Sequence, residues 1–262
     1  MRFEGKAGFV TGGGTGIGLA CARAIVTGGG RVTLCGRRED VLAAAAAELG
    51  ASATWIRCDV ADDASVAAAI AVAVERHGPL SLAVNAAGVA SAGSLLNTKA
   101  AEFAQTVDIN LMGAFRSVQA EARAMREAGG GSIVNVSSIA GALTHRWMSA
   151  YCASKAAVNM LTRCAADELG EHGIRVNAVM PGLVGTDLAT LLVNDIDAVD
   201  EYRRLMPISR LGCPEDVGSL VAFLLSDDAS WITGQCVAVD GGHTVRKGPD
   251  LVGVFRKFMP EG

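Results

Sequence analysis

The stretch YCASK sets Tyr151 and Lys155 four residues apart, a spacing that puts both on one face of a helix, one turn from each other. A free phenol titrates near pH ~10, too high for proton transfer at neutral pH. An ammonium one turn away favours the phenolate, as a cationic ring close by also would. Such a pair becomes a proton-transfer unit. An isolated Tyr–Lys match is more often a surface pair, so its meaning depends on what the rest of the chain brings to it. Thirteen residues upstream, Ser138 closes the apolar run in IVNVSSIAG. In an open α/β sheet, ligands collect beyond the carboxyl ends of the strands, so a strand-end hydroxyl is well placed. Its neighbour Ser137 reads as a helper for the backbone.

A second group of residues has the chemistry of a phosphate cradle. FVTGGGTGIGLA, residues 9–20, carries Gly12, Gly14, Gly16 and Gly18 with Thr15 and Ile17 between them. Amides at a helix start can face a pyrophosphate, and glycine lets phosphate approach the main chain. The spacing is Gly12-x-x-x-Gly16-x-Gly18, and an ordinary tight turn is the alternative. NAAG, residues 85–88, offers small residues at the end of a further strand. Asn110 in DINLMGAF stands inside a helical pattern and wants a polar partner.

These residues need a frame. Short β-branched or apolar runs at 8–11, 31–35, 54–58, 81–85, 132–136, 175–179 and 236–239 alternate with helical patterns at 16–28, 39–49, 63–77, 99–128, 149–170 and 214–226. Alternation of this kind predicts βαβ units, a parallel sheet and right-handed crossovers. Asp62 or Asp63 is suited to cap the third helix, and Pro214 to open the sixth. No linker or repeat divides the chain, which reads as one doubly wound α/β domain over 1–262. Two regions break the rhythm. Residues 187–210 are too long for a tight connection and predict a lid or pocket wall. Residues 243–262 follow the last strand and read first as a solvated or loosely docked tail, although Leu251, Phe255 and Phe258 recur at helical spacing.

Composition narrows the function classes. Half of the 262 residues are hydrophobic and 19% are charged, enough for a sizeable core. The net charge of -4 argues against a nucleic-acid partner. The seven cysteines are dispersed, without C-x-x-C or histidine at ligand spacing. They predict reduced, mostly buried thiols, no metal site and a cytoplasmic protein. The alanine-rich runs at 41–47 and 64–74 are too short to span a bilayer, so no membrane association is expected.

Taken in order, TGxxxGxG, NAAG, the Asn–Ser–Tyr–Lys set and MPGLVGT at 180–186 resemble the short-chain dehydrogenase/reductases, from about residue 5 to 242. The resemblance implies a Rossmann-like doubly wound parallel sheet ordered 3-2-1-4-5-6-7, a homotetramer or homodimer, and hydride transfer between a nicotinamide and a carbonyl or alcohol carbon. It assigns proton exchange to Tyr151, the substrate oxygen to Ser138, phenol tuning and ribose binding to Lys155, and a relay water to Asn110. Cofactor contacts fall to the glycine turn, to Asp59 and Val60, to Asn85, Ala86 and Gly88, and to Pro181, Gly182, Val184 and Thr186. Substrate contacts are expected from Ala140, His145, Trp147 and Leu188.

CGRRED, residues 35–40, selects between cofactors. An NAD site usually places an acid at the end of the second strand to hold the ribose 2′-hydroxyl. Gly36 stands there, followed by Arg37 and Arg38, which suit a 2′-phosphate. Thr15 adds no second basic residue. NADP(H) is therefore expected ahead of NAD(H), and a carbonyl or 3-oxoacyl thioester reductase ahead of an NAD-dependent sugar or secondary-alcohol dehydrogenase. A dinucleotide-sensing regulator without catalysis is a further alternative, and retention of all four catalytic positions argues against it.

Overall fold

Alternation within each strand decides the architecture. In the computed structural model, which describes residues 1–246, the apolar runs become β1 (Ala7–Thr11), β2 (Arg31–Gly36), β3 (Ala53–Arg57), β4 (Leu80–Asn85), β5 (Gly131–Val136), β6 (Ile174–Pro181) and β7 (Cys236–Val239). They pair in parallel in the order β3-β2-β1-β4-β5-β6-β7. Val10, Leu34, Val84, Val134 and Val179 point to one face and enter one buried cluster. Phe9, Cys35, Ala83, Ile133 and Val176, of opposite parity on the same strands, enter another. A sheet buried on both faces must be covered by helices on both.

The first cover is α1 (Gly16–Thr27), α2 (Glu39–Leu49) and α9 (Pro214–Leu225), which supply Cys21, Ile25, Leu42, Val217 and Val221. The second is α3 (Asp63–His77), α5 (Gly113–Glu127) and α6 (Ser149–Leu169), which supply Val66, Ile70, Val118, Met125 and Ala165. Asp62 caps α3 by accepting from the Ala64 N–H at 3.0 Å, and Pro214 opens α9. The predicted helix over 99–128 is interrupted. α4 (Ala100–Val107) runs through a π turn, Asp108–Met112, into α5. Gly113 sits where the helix meets Val60, since a Cβ there would lie 2.8 Å from Val60 Cγ2.

The strand order reverses between β1 and β4, whose last residues, Thr11 and Asn85, stand in register. A crevice opens beyond the carboxyl ends at such a point. Amides of Ala86 and Ala87 bind the Thr11 carbonyl and hydroxyl, both at 3.2 Å, so the two strand-end turns are tied side by side. Residues 187–210 contain two helices that the sequence reading left out, α7 (Thr190–Val193) and α8 (Ile196–Leu205). The tail is docked at its start rather than solvated. His243 is 8% exposed, and Arg246 donates to the Arg204 carbonyl at 2.9 Å. Leu251, Phe255 and Phe258 lie outside the described residues. Of the cysteines, all free, only Cys21, Cys35 and Cys58 are fully buried; Cys164 and Cys213 are exposed. Among the described residues no helix is long and apolar enough to cross a membrane.

Candidate active site

One cleft runs along the carboxyl ends of the strands from β2 and β3 to the segment after β6. Gly12, Gly14, Thr15, Gly16, Ile17 and Gly18 form its floor near the switch point. Gly12 has a positive φ of 65°, and a Cβ on Gly18 would lie 2.2 Å from the Gly12 carbonyl oxygen. Both positions thus require glycine. Thr15 stands at the N-cap of α1 with extended backbone, its hydroxyl caps nothing, and the first turn holds no acid. The positive end of the α1 dipole therefore meets the cleft without a competing anion, which fits a bound pyrophosphate.

At one end Arg37, Arg38, Asp59 and Val60 line the wall. Neither Arg37 nor Arg38 pairs with a carboxylate among the described residues; the Glu39 carboxylate faces Arg57 at 4.0 Å instead. Ala86 and Gly88 form the middle. At the other end stand Ser138, Ala140, His145, Tyr151, Lys155, Pro181, Gly182, Val184, Thr186 and Leu188.

The reacting end is built from β5 and α6. The Ser138 Oγ accepts the Ala140 N–H at 3.1 Å, which leaves the hydroxyl proton to donate elsewhere. Ser137 Oγ donates to the Lys155 carbonyl at 3.1 Å, tying the strand end to the helix. Lys155 Nζ donates to the Val136 carbonyl at 2.9 Å and lies 5.7 Å from the centre of the Tyr151 ring. Burial lowers its pKa to about 8. Burial also raises the Tyr151 phenol above its ordinary value, with the adjacent Ser138 hydroxyl opposing. The protein groups alone therefore keep the phenol protonated at neutral pH, contrary to the lowering expected from Lys155, because desolvation outweighs the Ser138 hydrogen bond.

Three expected residues lie elsewhere. Asn85 is 5% exposed and outside the cleft lining. Its Nδ2 donates to Glu121 Oε2 at 2.9 Å and Asn135 Oδ1 at 3.0 Å, because strand alternation turns it with Ala83 towards α5. Asn110 is also buried behind the wall. Its Oδ1 accepts the Val89 N–H at 2.8 Å, while Nδ2 donates to the Val89 carbonyl at 3.0 Å and to Ser154 Oγ at 3.1 Å. This side chain braces the segment after β4 and makes no hydrogen bond to Lys155. Gly88 fits between them: a Cβ would stand 3.1 Å from Asn110 Oδ1 and 3.6 Å from Lys155 Nζ. Trp147, with a φ of 68°, turns its ring to solvent and is 66% exposed.

Val89, Met148, Leu192 and Tyr202 also line the cleft, the last two from the 187–210 segment expected as a pocket wall, although Val89, Leu192 and Tyr202 were not singled out by number. Tyr202 had a signal, since the chain holds two tyrosines, and the other is Tyr151.

The crevice at a strand-order reversal, a glycine turn at a helix start and a Ser–Tyr–Lys set define a dinucleotide-binding doubly wound α/β protein. Comparison with known proteins narrows the class. A family model described as Enoyl-(Acyl carrier protein) reductase matches residues 12–244. Galactitol 2-dehydrogenase (L-tagatose-forming) of Cereibacter sphaeroides is 40% identical over 94% of this chain and 97% of its own. The inactive 2-(S)-hydroxypropyl-CoM dehydrogenase 2 of Xanthobacter autotrophicus is 44% identical over 85% of this chain and 99% of its own. A short-chain type dehydrogenase/reductase from Mycobacterium ulcerans, known as a solved structure, superposes with a TM-score of 0.91 at 38% identity, covering 98% of this chain and 96% of that one. The chain belongs to the short-chain dehydrogenase/reductase family and is an oxidoreductase.

Proposed function

We propose that this chain is an NADP(H)-dependent carbonyl reductase, moving a hydride between nicotinamide and a carbonyl or alcohol carbon. One observation carries the reading: the uncapped α1 N-terminus and the Ser138–Tyr151–Lys155 set open on the same cleft. The bound nicotinamide supplies or takes the hydride. Everything else falls to side chains of this chain. Ser138 donates its hydroxyl proton to the substrate oxygen and holds it beside the phenol. Tyr151, protonated at neutral pH, gives its proton to that oxygen as the carbonyl carbon is reduced, and takes it back in the reverse direction. Lys155 holds the ribose hydroxyls and stabilises the phenolate left behind. Asn110 keeps the Val89 wall in place, and Gly88 leaves room for the cofactor to pass.

Arg37 and Arg38 support the 2′-phosphate, since no acid occupies position 36 and neither guanidinium is engaged by a carboxylate among the described residues. The relatives are named for alcohols, and Arg203 and Arg204 pair with Asp200 and Glu201 in their own helix. A small carbonyl or alcohol is therefore favoured over a carrier-bound 3-oxoacyl thioester. The free thiols fit a reducing compartment, the cytoplasm. A carbonyl and alcohol panel run with both cofactors, followed at the nicotinamide absorbance, tests the reading. Arg37→Ala should weaken NADPH about tenfold or more and barely touch NADH. Equal loss for both, or a wild-type preference for NADH, would refute the phosphate assignment. The inactive relative supports a second reading, a non-catalytic nucleotide sensor. Cofactor binding without turnover on any member of the panel would favour it.

A further inference from the structure

Beyond the reacting atoms, the far end of the cleft is lined by apolar side chains of Val89, Met148, Leu188 and Leu192, with two polar groups among them, His145 and Tyr202. The two do not stand alone. The His243 ring meets Tyr202 edge-on, with ring centres 5.5 Å apart at 80°, and lies 6.4 Å from the His145 ring. Two of the four histidines and one of the two tyrosines of the chain are thus gathered behind one small region. His145 Nδ1 lies 3.4 Å from the Leu143 carbonyl. With Nδ1 as the donor, Nε2 is left as an acceptor. His243 is 8% exposed, and its Nδ1 is buried without a hydrogen-bond partner among the described residues.

The turn that carries His243 is itself built with care. Asp240 Oδ1 and Oδ2 accept the N–H groups of Gly242 and Thr244 at 2.9 and 2.8 Å. Gly241 and Gly242 both have positive φ. Buried polar atoms are rarely left unmet in a native protein unless a water or ligand completes them.

Charge narrows what such a wall can take. Segment 187–202 contributes one charged side chain to the lining, Asp187, an anion, and 138–148 contributes no lysine or arginine. Lys155 donates to Val136 and faces the phenol. A carboxylate, sulfonate or phosphate on the substrate would meet no dedicated cation there. A hydroxyl, which both donates and accepts, matches an imidazole nitrogen and a phenol together.

We propose that His145 and Tyr202, positioned by His243, read a second hydroxyl beside the reacting carbon, so that the substrate is an uncharged vicinal diol or polyol, or the matching hydroxyketone. This rests on the oxidoreductase reading of the same cleft and sharpens it. A site built to bind a hydroxyl penalises the analogue that lacks it, because its own polar groups are then left unpaired.

The test compares butane-2,3-diol, butan-2-ol and 3-hydroxybutyrate as substrates of the full-length chain in the oxidative direction. The diol should exceed both others in kcat/KM by about tenfold or more. His145→Phe and Tyr202→Phe should each lower the ratio of diol to mono-alcohol about tenfold. His243→Phe should lower it in the same sense, which general loss of folded protein would not do, since both substrates see the same active fraction. A ratio near one in the wild type, a preference for the hydroxy acid, or an unchanged ratio in both His145→Phe and Tyr202→Phe overturns the proposal while leaving the oxidoreductase reading intact. No turnover of any alcohol or of the corresponding ketones overturns both.

Discussion

At the scale of single residues, catalysis turns on how burial and hydrogen bonding set two protons. Tyr151 is pushed up by burial and Lys155 down to about 8. The phenol therefore carries its proton across the neutral range, the form needed to protonate a carbonyl oxygen. Taking a proton from an alcohol needs the phenolate, so the oxidative rate should climb with pH from about 6 to 8, below the point where Lys155 loses its charge, while the reductive rate does not. Rate profiles in both directions check this, and an oxidative rate that falls over that interval would remove Tyr151 as the proton carrier. Tyr151→Phe deletes one oxygen and keeps the ring. It should lower turnover by about a thousandfold or more with cofactor affinity nearly unchanged. Lys155→Ala should harm both, because the ammonium serves the phenol and the ribose. Substantial turnover in the Phe variant would show the acid–base assignment to be wrong.

At the scale of elements, a buried carboxyl joins the sheet to its helices. Glu121 on α5 is 0% exposed, accepts from Asn85 on β4, and its Oε1 has no partner among the described residues. Asn85 reaches Asn135 on β5, and Asn135 Nδ2 donates to Thr162 on α6 at 3.0 Å. Burial raises the Glu121 pKa from 4.5 to about 8. A carboxyl raised in the folded state binds more protons folded than unfolded between those values, so its contribution is full below 4.5 and is lost as pH rises through about 8. Every tenfold difference in proton affinity between the folded and unfolded chain corresponds to about 1.4 kcal/mol. The wild type should therefore lose about 5–10 °C of Tm, relative to Glu121→Gln, between about pH 5 and pH 8. Parallel Tm curves for the two proteins would show that Glu121 does not titrate as burial dictates. Taking the difference between the two cancels His77 and His243, whose lowered pKa values act in the opposite sense.

This network also marks where the sequence could and could not be read. The seven strands were legible because each is an apolar run flanked by turn residues, and Val10 and Phe9 already show which face each residue takes. The same alternation, applied to Ala83 and Asn85, sends Asn85 away from the cleft towards α5. Its place in NAAG at a strand end masked that signal. The π turn at Asp108–Met112 adds one residue to a helical pattern without disturbing its apolar face, so 99–128 looked continuous. α8 carries Ile196, Val199, Tyr202 and Leu205 at helical spacing, but only Val199 is buried and charged residues fill most of the rest, so the stripe was too short to stand out in 187–210. His243 owes its burial to the Asp240 turn and to Tyr202, contacts between segments about forty residues apart that no local pattern records.

At the scale of the whole molecule, the sheet ends at β7 in an edge strand that no described element covers on its outer side. An unpaired edge invites a second chain unless it is blocked. Trp231, just before it, is 98% exposed, and Met112, Phe115 and Met160 are 38%, 40% and 55% exposed on the π turn, α5 and α6. Large apolar side chains on the outer surfaces of two neighbouring helices, together with a bare edge strand, provide two separate self-complementary faces. Two such faces related by different two-fold axes close into a tetramer of dihedral symmetry, whereas one would stop at a dimer. We therefore propose a homotetramer, with α5 and α6 in one interface and β7 in the other. Light scattering at micromolar concentration should return four chain masses. Phe115→Glu together with Met160→Glu should reduce this to two, because buried like charges disable one interface and leave the other. A change at Trp231→Glu should likewise yield dimers through the remaining helical face. A monomer in the wild type would refute the assembly, and a tetramer that survives both sets of charges would show that other surfaces hold it together.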